Sequence, residues 1–276
     1  MFDGSILKLE PCLIEKIWGW EKWVLSCNEE GKSKIEEGIY KGQELAAVLE
    51  DGFNFPILNK IIKSQGALSV QVHPNDDYAN RVEKTNGKTE CWYILEAEEG
   101  ATLVLGIKKG LNKEKLRTII KEGKLVEYLE RINIKKGDFI YIPAGTVHAI
   151  EAGVKLIEVQ QNSNITYRLY DWGRGREVHI EKSLDVIDYE SESKGGKIHK
   201  FHKLETPYFK VEKIIVDKNY EDKVNERLHS YIVIHGEGVI IANNEKMQLK
   251  EEETIYISKG TEYTFEGNME LIKSSV

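Results

Sequence analysis

The sequence predicts a mainly β protein: barrel-like halves, two of them and related to each other, with a few short helices. Three observations carry that prediction. Short runs rich in Val, Ile, Tyr and Phe recur along the chain between Gly, Asn and Asp turns, the pattern of a sandwich or barrel. Helical spacing is confined to two places, residues 41–51 and 112–132. One segment also occurs twice. IYIPAGTVHAI at 140–150 and IYISKGTEYTF at 255–265 agree at five of eleven positions, offset by 115 residues, which implies the same strand, turn and returning strand built twice.

Taken in order, KGQELAAVLED (41–51) places Leu45, Ala46 and Leu49 at helical spacing. ALSVQVHP then alternates apolar and polar residues, so Ser69, Gln71 and His73 share one face of a strand. CWYILEA (91–97) and TLVLGI (102–107) read as strands, and residues 112–132 as a helical patch punctuated at Gly123. DFIYIPAG and KLIEVQQ follow as strands, and the polar, Gly-bearing DYESESKGGKIHK (188–200) as a linker. FKVEKIIV, SYIVIHGEGVIIANN and TIYISKG complete the strands. The expected division is residues 1–187 as a metal-binding domain, 188–200 as linker and 201–276 as a degenerate second domain. In the second copy of the repeat Ser258 replaces Pro143 and Tyr263 replaces His148, so the shape is kept and a ligand is not.

Composition limits the function classes. With 41% apolar and 31% charged residues the chain is an ordinary soluble globular protein, and a net charge of −7 argues against a nucleic-acid partner. The start, MFDGSILKLEP, has neither the basic nor the apolar region of a signal peptide. The longest runs without charge, 64–75 and 139–150, are 12 residues each, short of the roughly 20 that a membrane span needs. Cys12, Cys27 and Cys91 form no CxxC pair, so the expected setting is reducing and cytoplasmic. Monomer and homodimer are both open.

Four pieces carry chemistry. Gln71 and His73 share a strand face, and Glu90, Trp92 and Ile94 share another. In GDFIYIPAGTVH, the spacing G-x5-P-x-G-x2-H from Gly137 to His148 reproduces the second conserved motif of the cupin superfamily, in which Pro and Gly turn the chain so that His enters a barrel mouth. Gln71-x-His73 stands where the first cupin motif has H-x-H, with Glu90 delayed by an inserted loop. The fourth piece is LIEVQQNSNITYRLYDWGR, where Glu158 and Arg168 flank a polar loop. The other five histidines have no such context and read as ordinary core or surface residues. Two imidazoles, a carboxylate and an amide oxygen make a borderline-hard site suited to Zn²⁺, with Fe, Mn, Co and Ni admitted by ligand type. Lacking thiolate and leaving room for substrate, the site reads as catalytic rather than structural.

LSVQVHP, GKTECWYIL, YIPAGTVHAI and NSNITYRLYDWGR together resemble the type I mannose-6-phosphate isomerases, zinc-dependent cupins, and KIWGW with WVLS resembles that family's opening segments. The resemblance spans most of residues 6–180. It implies that Gln71, His73, Glu90 and His148 hold the metal, that Arg168 is the catalytic arginine and that Lys88 faces the substrate. The implied reaction interconverts mannose 6-phosphate and fructose 6-phosphate, with a small sugar phosphate as the partner. Trp20 replaces the usual second glycine of W-G-G, and the stretch from Trp18 to Trp23 is short, so a loop near the pocket mouth is missing. Those departures bear on substrate range and leave the metal set intact.

Such a reaction moves a proton between C2 and C1 and develops an oxyanion that a divalent metal stabilises. A metal-bound Glu90 is a poor base, so Glu158, Asp171, Lys88 and a hydroxide on the metal are the candidates. Arg168 can stabilise the enediolate through a planar, permanently charged fork. For the phosphate, Arg174 and Arg176 lie between glycines in DWGRGR, and Asp171 and Trp18 are further substrate-side candidates, Trp18 with a place in the core as its alternative. The competing readings are another cupin metalloenzyme such as an oxygenase, and a non-catalytic sugar-binding cupin.

Overall fold

The computed structural model describes residues 6–50, 52–190 and 195–276, and strands dominate them. The chain gathers into two compact units. The first comprises Glu15–Glu21 and Ile61–His199; the second comprises the described part of Met1–Ile14 together with Lys22–Lys60 and Lys200–Val276. This corrects the expected linear division at 188–200. The N-terminal strand Ile6–Glu10 runs antiparallel to Thr254–Ser258, with Leu7 opposite Tyr256, and so extends the sheet of the C-terminal half. Part of the expected linker is a strand, since Gly196–Ile198 pairs with Phe139–Ile142. Residues 191–194 of that stretch lie outside the described residues.

In the first unit one sheet has the spatial order Leu129–Asn133, Thr102–Ile107, His148–Ile150, Val70–Val72, Tyr167–Tyr170. The other runs Gly196–Ile198, Phe139–Ile142, Glu90–Ala97, Val154–Gln161, and then residues 61–64 of the strand Ile57–Ser64. Trp92 and Ile94 from the second sheet meet Leu103 and Ile150 from the first in one buried cluster, so the sheets pack face to face. They remain two sheets rather than one closed ring, the open jelly-roll form of the barrel that the short strands predict.

Helices differ from expectation in number and extent. Lys113–Lys121 begins at Asn112, whose side chain accepts from Lys115 N, and ends just before Gly123 at a φ of +73°. Beyond that glycine the predicted helix gives way to a 3₁₀ turn and to the strand Leu129–Asn133, which pairs with Thr102–Ile107. Cross-strand pairing overrides the local helical spacing there. The 41–51 patch yields only Leu45–Val48. Two helices lack a periodic signal: Asp76–Val82, capped by Asn75, and Ile180–Val186. Leu116 and Leu184, from two of these helices, join Val70, Val72 and Ala149 in a cluster on one face of the five-stranded sheet.

The main sheet of the second unit is built on three long strands, Lys210–Lys223, Leu228–Ala242 and Glu262–Ser275. Residues 228–232 pair with Thr254–Ser258 and residues 238–242 with Glu245–Leu249, so one strand serves two regions of the sheet. The crossing needs glycine. Gly267 has a φ of +136°, and a Cβ there would lie 2.7 Å from Gly238 Cα. Tyr231, Ile240, Phe265 and Leu271 fill the core that this sheet folds around.

Candidate metal centre

Strand alternation sets the site. Val70 and Val72 turn into the helix-covered cluster, which leaves Gln71 on the opposite face. Gln71 stands opposite His148 on one neighbouring strand and opposite Arg168 on the other. Directly opposed residues share a face and adjacent strands lie about 4.8 Å apart, so His148, Gln71 and Arg168 form one row. His73 follows Gln71 at the same parity, and its carbonyl accepts from Gly145 N at 2.8 Å. Gly145 has a φ of +89°, and a Cβ there would meet Val186 O at 3.1 Å. The glycine of PAGTVH is thus required by the turn that delivers His148.

Glu90 comes from the facing sheet, opposite Ile142 and Gln160. Its Oε1 lies 3.4 Å from His148 Nε2 and its Oε2 lies 3.6 Å from His73 Nε2. Gln71 Nε2 is 3.2 Å from His148 Nε2. The ligand atoms of His73, Glu90 and His148 all fall within 4.8 Å of one another, and all three residues are buried. All four predicted ligands therefore converge.

The histidines are prepared as donors. His73 Nδ1 is 2.7 Å from Ile165 O, and His148 Nδ1 is 2.8 Å from Thr146 O. A carbonyl can only accept, so Nδ1 carries the proton in each ring and Nε2 turns its lone pair toward the cluster. Burial, opposed by the Thr146 hydrogen bond, brings the His148 pKa down to about 4 and keeps that ring neutral near pH 7. Turning the Gln71 amide over would put Oε1 at the cluster and its NH₂ against Ser69 Oγ, which lies 3.5 Å from Oε1.

Charge completes the case for a cation. Lys88 Nζ donates to Glu90 Oε2 at 2.7 Å and lies 3.7 Å from Glu158 Oε1. Trp92, directly across from Glu158, donates its indole N–H to Glu158 Oε2 at 2.9 Å. Burial disfavours the Lys88 ammonium, but Glu158 and Glu90 outweigh it and raise the lysine pKa above its ordinary value. One ammonium thus faces two buried carboxylates, with the buried Glu21 adding to the negative field. A divalent ion among the four donors would offset that excess, so donor set and charge both fit a borderline N/O metal.

The other predicted residues separate into two groups. Arg168 stays on the row. Its Nη1 donates to Glu177 O at 2.6 Å, its main-chain N–H donates to His179 Nδ1 at 3.2 Å, and its Nε is buried with no hydrogen-bond partner among the described residues. Burial and the nearby Arg176 lower its pKa. Asp171, Arg174 and Arg176 are bound to one another instead. Arg174 Nη2 and Arg176 Nε donate to the two Asp171 oxygens at 2.8 Å each, and Arg174 also reaches Ala67 O. The Arg176 bond is the main cause that holds the Asp171 pKa below the usual carboxylate range. Trp18 lies in the core with Ile62, Leu68 and Leu156, the alternative place given by its sequence context.

Sequence reasoning does not reach the grip of Trp92 on Glu158, the clamp of Glu177 and His179 on Arg168, or the Ile165 and Thr146 carbonyls that fix the imidazoles. Trp92 carries a partial signal, because it shares the Glu90 face. Main-chain acceptors carry none.

Against this geometry, comparison with known proteins is consistent along the chain. The family model described as "Mannose-6-phosphate isomerase, cupin domain" matches residues 197–276. Mannose-6-phosphate isomerase ManA of Bacillus subtilis (strain 168) is 35% identical, over 97% of this chain and 98% of that protein. The mannose-6-phosphate isomerase of Streptococcus mutans is also 35% identical, over 92% of this chain and 87% of that one. The crystal structure of the mannose 6-phosphate isomerase from Bacillus subtilis superposes with a TM-score of 0.90 at 30% identity, covering 99% of this chain and 100% of that chain. A likeness of this depth, running through both units, places the chain in the mannose-6-phosphate isomerase family.

Proposed function

We propose that this protein is a metal-dependent aldose–ketose isomerase that interconverts mannose 6-phosphate and fructose 6-phosphate through an enediol or enediolate. The carrying observation is the meeting of the His73, Glu90 and His148 donor atoms within 4.8 Å, beside the row that holds Gln71 and Arg168. Relatives named for this reaction support the choice of substrate. Gln71, His73, Glu90 and His148 would hold the ion, with zinc preferred and iron, manganese, cobalt or nickel admitted by the same donors. When bound, a divalent ion supplies Lewis acidity to the adjacent sugar oxygens and orients them.

The remaining chemistry belongs to side chains. Lys88 is held as an ammonium and Asp171 is tied to two guanidinium groups, which makes both poor bases. Glu158 is buried, steadied by Trp92 and outside the ligand set, so it moves the proton between C2 and C1. Lys88, next to it, serves the proton balance at the sugar oxygens. Arg168 stabilises the developing oxyanion. Arg174 and Arg176 share one carboxylate and so keep one net positive charge for the phosphate. No helix among the described residues is long and apolar enough to cross a membrane, and the cysteines are free, in keeping with the cytoplasmic setting we infer.

The test is metal analysis of the purified protein together with an assay for fructose 6-phosphate formed from mannose 6-phosphate. Chelator should abolish turnover and Zn²⁺ restore it, and His148→Ala should lose metal and turnover together. Metal retained without turnover of either sugar phosphate would overturn the isomerase reading in favour of a sugar-binding module.

A further inference from the structure

The internal repeat allows the two units to be compared position by position through their hydrogen-bond registers. Ile142 stands opposite Glu90, and Ile257, 115 residues on, stands opposite His229. Gly145 N donates to His73 O and Gly260 N donates to Val224 O, each at 2.8 Å. His148 stands opposite Gln71, and Tyr263 stands opposite Asp222. Trp92 faces Glu158 across the ladder, and Tyr231 faces Lys273. The second unit therefore presents Asp222, Val224, His229 and Tyr263 at the four ligand positions. Tyr231 and Lys273 take the places of Trp92 and Glu158.

These replacements form a connected polar cluster of their own. Lys273 Nζ donates to Asp222 Oδ2 at 2.7 Å, and Tyr263 Oη donates to the same oxygen at 3.1 Å. The Tyr231 and Tyr263 hydroxyls are 2.6 Å apart. His229 Nδ1 lies 2.6 Å from Tyr263 Oη, and its Nε2 lies 3.1 Å from Glu226 Oε2. Lys273, His229, Tyr231 and Tyr263 are all buried. A valine has replaced one imidazole and a phenol the other, while the buried carboxylate at the Glu158 position has become a cation. The donor set has lost the two imidazoles of the first unit, and a cation, 3.8 Å from Glu212 Oε2, stands where the first unit has its second buried carboxylate.

We propose that the second unit is a metal site converted to a metal-free one, in which the Lys273 ammonium fills the electrostatic role of the ion toward Asp222. The equivalence rests on the ligand set assigned to the first unit, and the test is built so that the two can fail separately. In the full-length chain, Val224→His/Tyr263→His/Lys273→Met supplies three imidazoles and the Asp222 carboxylate and removes the internal cation. After chelation and dialysis against Co²⁺, this variant should bind one equivalent more than the parent and add Co²⁺ absorption in the visible. Val224→His/Tyr263→His with Lys273 retained should add none. The readout is the increment over the parent, so failure of the first site changes the baseline and not the increment. A folded triple variant with no added equivalent overturns the proposal, as does an added equivalent with Lys273 in place.

Should the triple variant not fold, Lys273→Met alone decides. Amide exchange across residues 262–275 should quicken about tenfold or more, because a partly buried carboxylate loses its counter-charge, and Asp222→Asn added to that variant should restore protection. Unchanged exchange, or no recovery in the double variant, overturns the proposal.

Discussion

Replacing Arg168 should separate the proposed transition-state stabilisation from metal binding, because this residue sits on the row of candidate ligands and is outside the proposed ligand set. It stands opposite Gln71, one strand spacing from the candidate metal ligands, and its buried Nε makes no hydrogen bond to the described residues. On the proposed function such a donor would serve the reacting oxygen. Losing one preorganised donor to an oxyanion costs about 2.7–4 kcal/mol of transition-state stabilisation, or about 10²–10³ in kcat. The structural cost of Arg168→Ala is smaller. It removes the 2.6 Å bond to the Glu177 carbonyl, worth about 0.5–1.5 kcal/mol, and should lower the Tm by about 2–4 °C per kcal/mol. Steady-state assay of fructose 6-phosphate formation, with metal measured on the same samples, should show kcat down by about two to three orders of magnitude and metal unchanged. Arg168→Lys keeps the charge and loses the fork, so it should recover about tenfold at most. An alanine variant within a few-fold of parental kcat would refute the assignment. An alanine variant that loses its metal would mean that Arg168 supports the ligands instead.

Two further outcomes follow from the residues that bind one another or the core. The Asp171 carboxyl is held below its usual range chiefly by Arg176, so its stabilising contribution is complete above an unfolded pKa of about 4 and is lost as pH falls through the lower folded value. Urea unfolding of Asp171→Asn should therefore show a stability deficit that is full at neutral pH and shrinks in acid; a deficit that does not vary with pH would sink this. Trp18→Ala, at a side chain buried among Ile62, Leu68 and Leu156, should lose about 3–5 kcal/mol of stability while the folded enzyme keeps its KM. A raised KM with unchanged stability would put Trp18 at the pocket rim after all.

Much of the site can be read from periodicity because a strand's alternation is a geometric rule. Gln71 and His73 share a parity, Glu90 shares one with Trp92, and the Gly–Pro–Gly spacing before His148 specifies a turn whose glycine proves sterically necessary. Those local rules place each candidate ligand on its face without any knowledge of its neighbours. What they cannot supply is pairing. The strand Ile6–Glu10 belongs with Thr254–Ser258 through a register that no local pattern encodes. Residues 125–133 keep helical spacing, yet Leu129–Asn133 forms a strand because an edge is present for it to join. Asp171, Arg174 and Arg176 look like an open cationic turn in one dimension, and in three the carboxylate bonds to both guanidinium groups. The Asp76–Val82 helix is too short for a period to show, although Asn75 and the acidic first turn are proper start signals.

The second unit escapes one-dimensional reading for the same reason, and the registers identify the few positions at which it differs from the candidate metal centre. In the first unit the buried charges around the candidate ligands are Lys88 against Glu90 and Glu158, with Glu21 adding to the negative side and the His148 ring neutral. In the second, the cation stands at the Glu158 position itself, with Lys273 Nζ 2.7 Å from Asp222 Oδ2 and 3.8 Å from Glu212 Oε2. An ammonium about 4 Å from a divalent ion opposes it by roughly 8 kcal/mol at an effective dielectric near 20. In the first unit the Glu158 carboxylate beside Lys88 offsets that repulsion, and in the second the equivalent position is itself the cation. The frame decides which side chains meet; the sign of the charge at the position shared by Glu158 and Lys273 decides whether an ion can join them. Ligand replacement alone would leave a weak site, and charge inversion closes it, which is why restoring two histidines with Lys273 in place should recruit no cobalt.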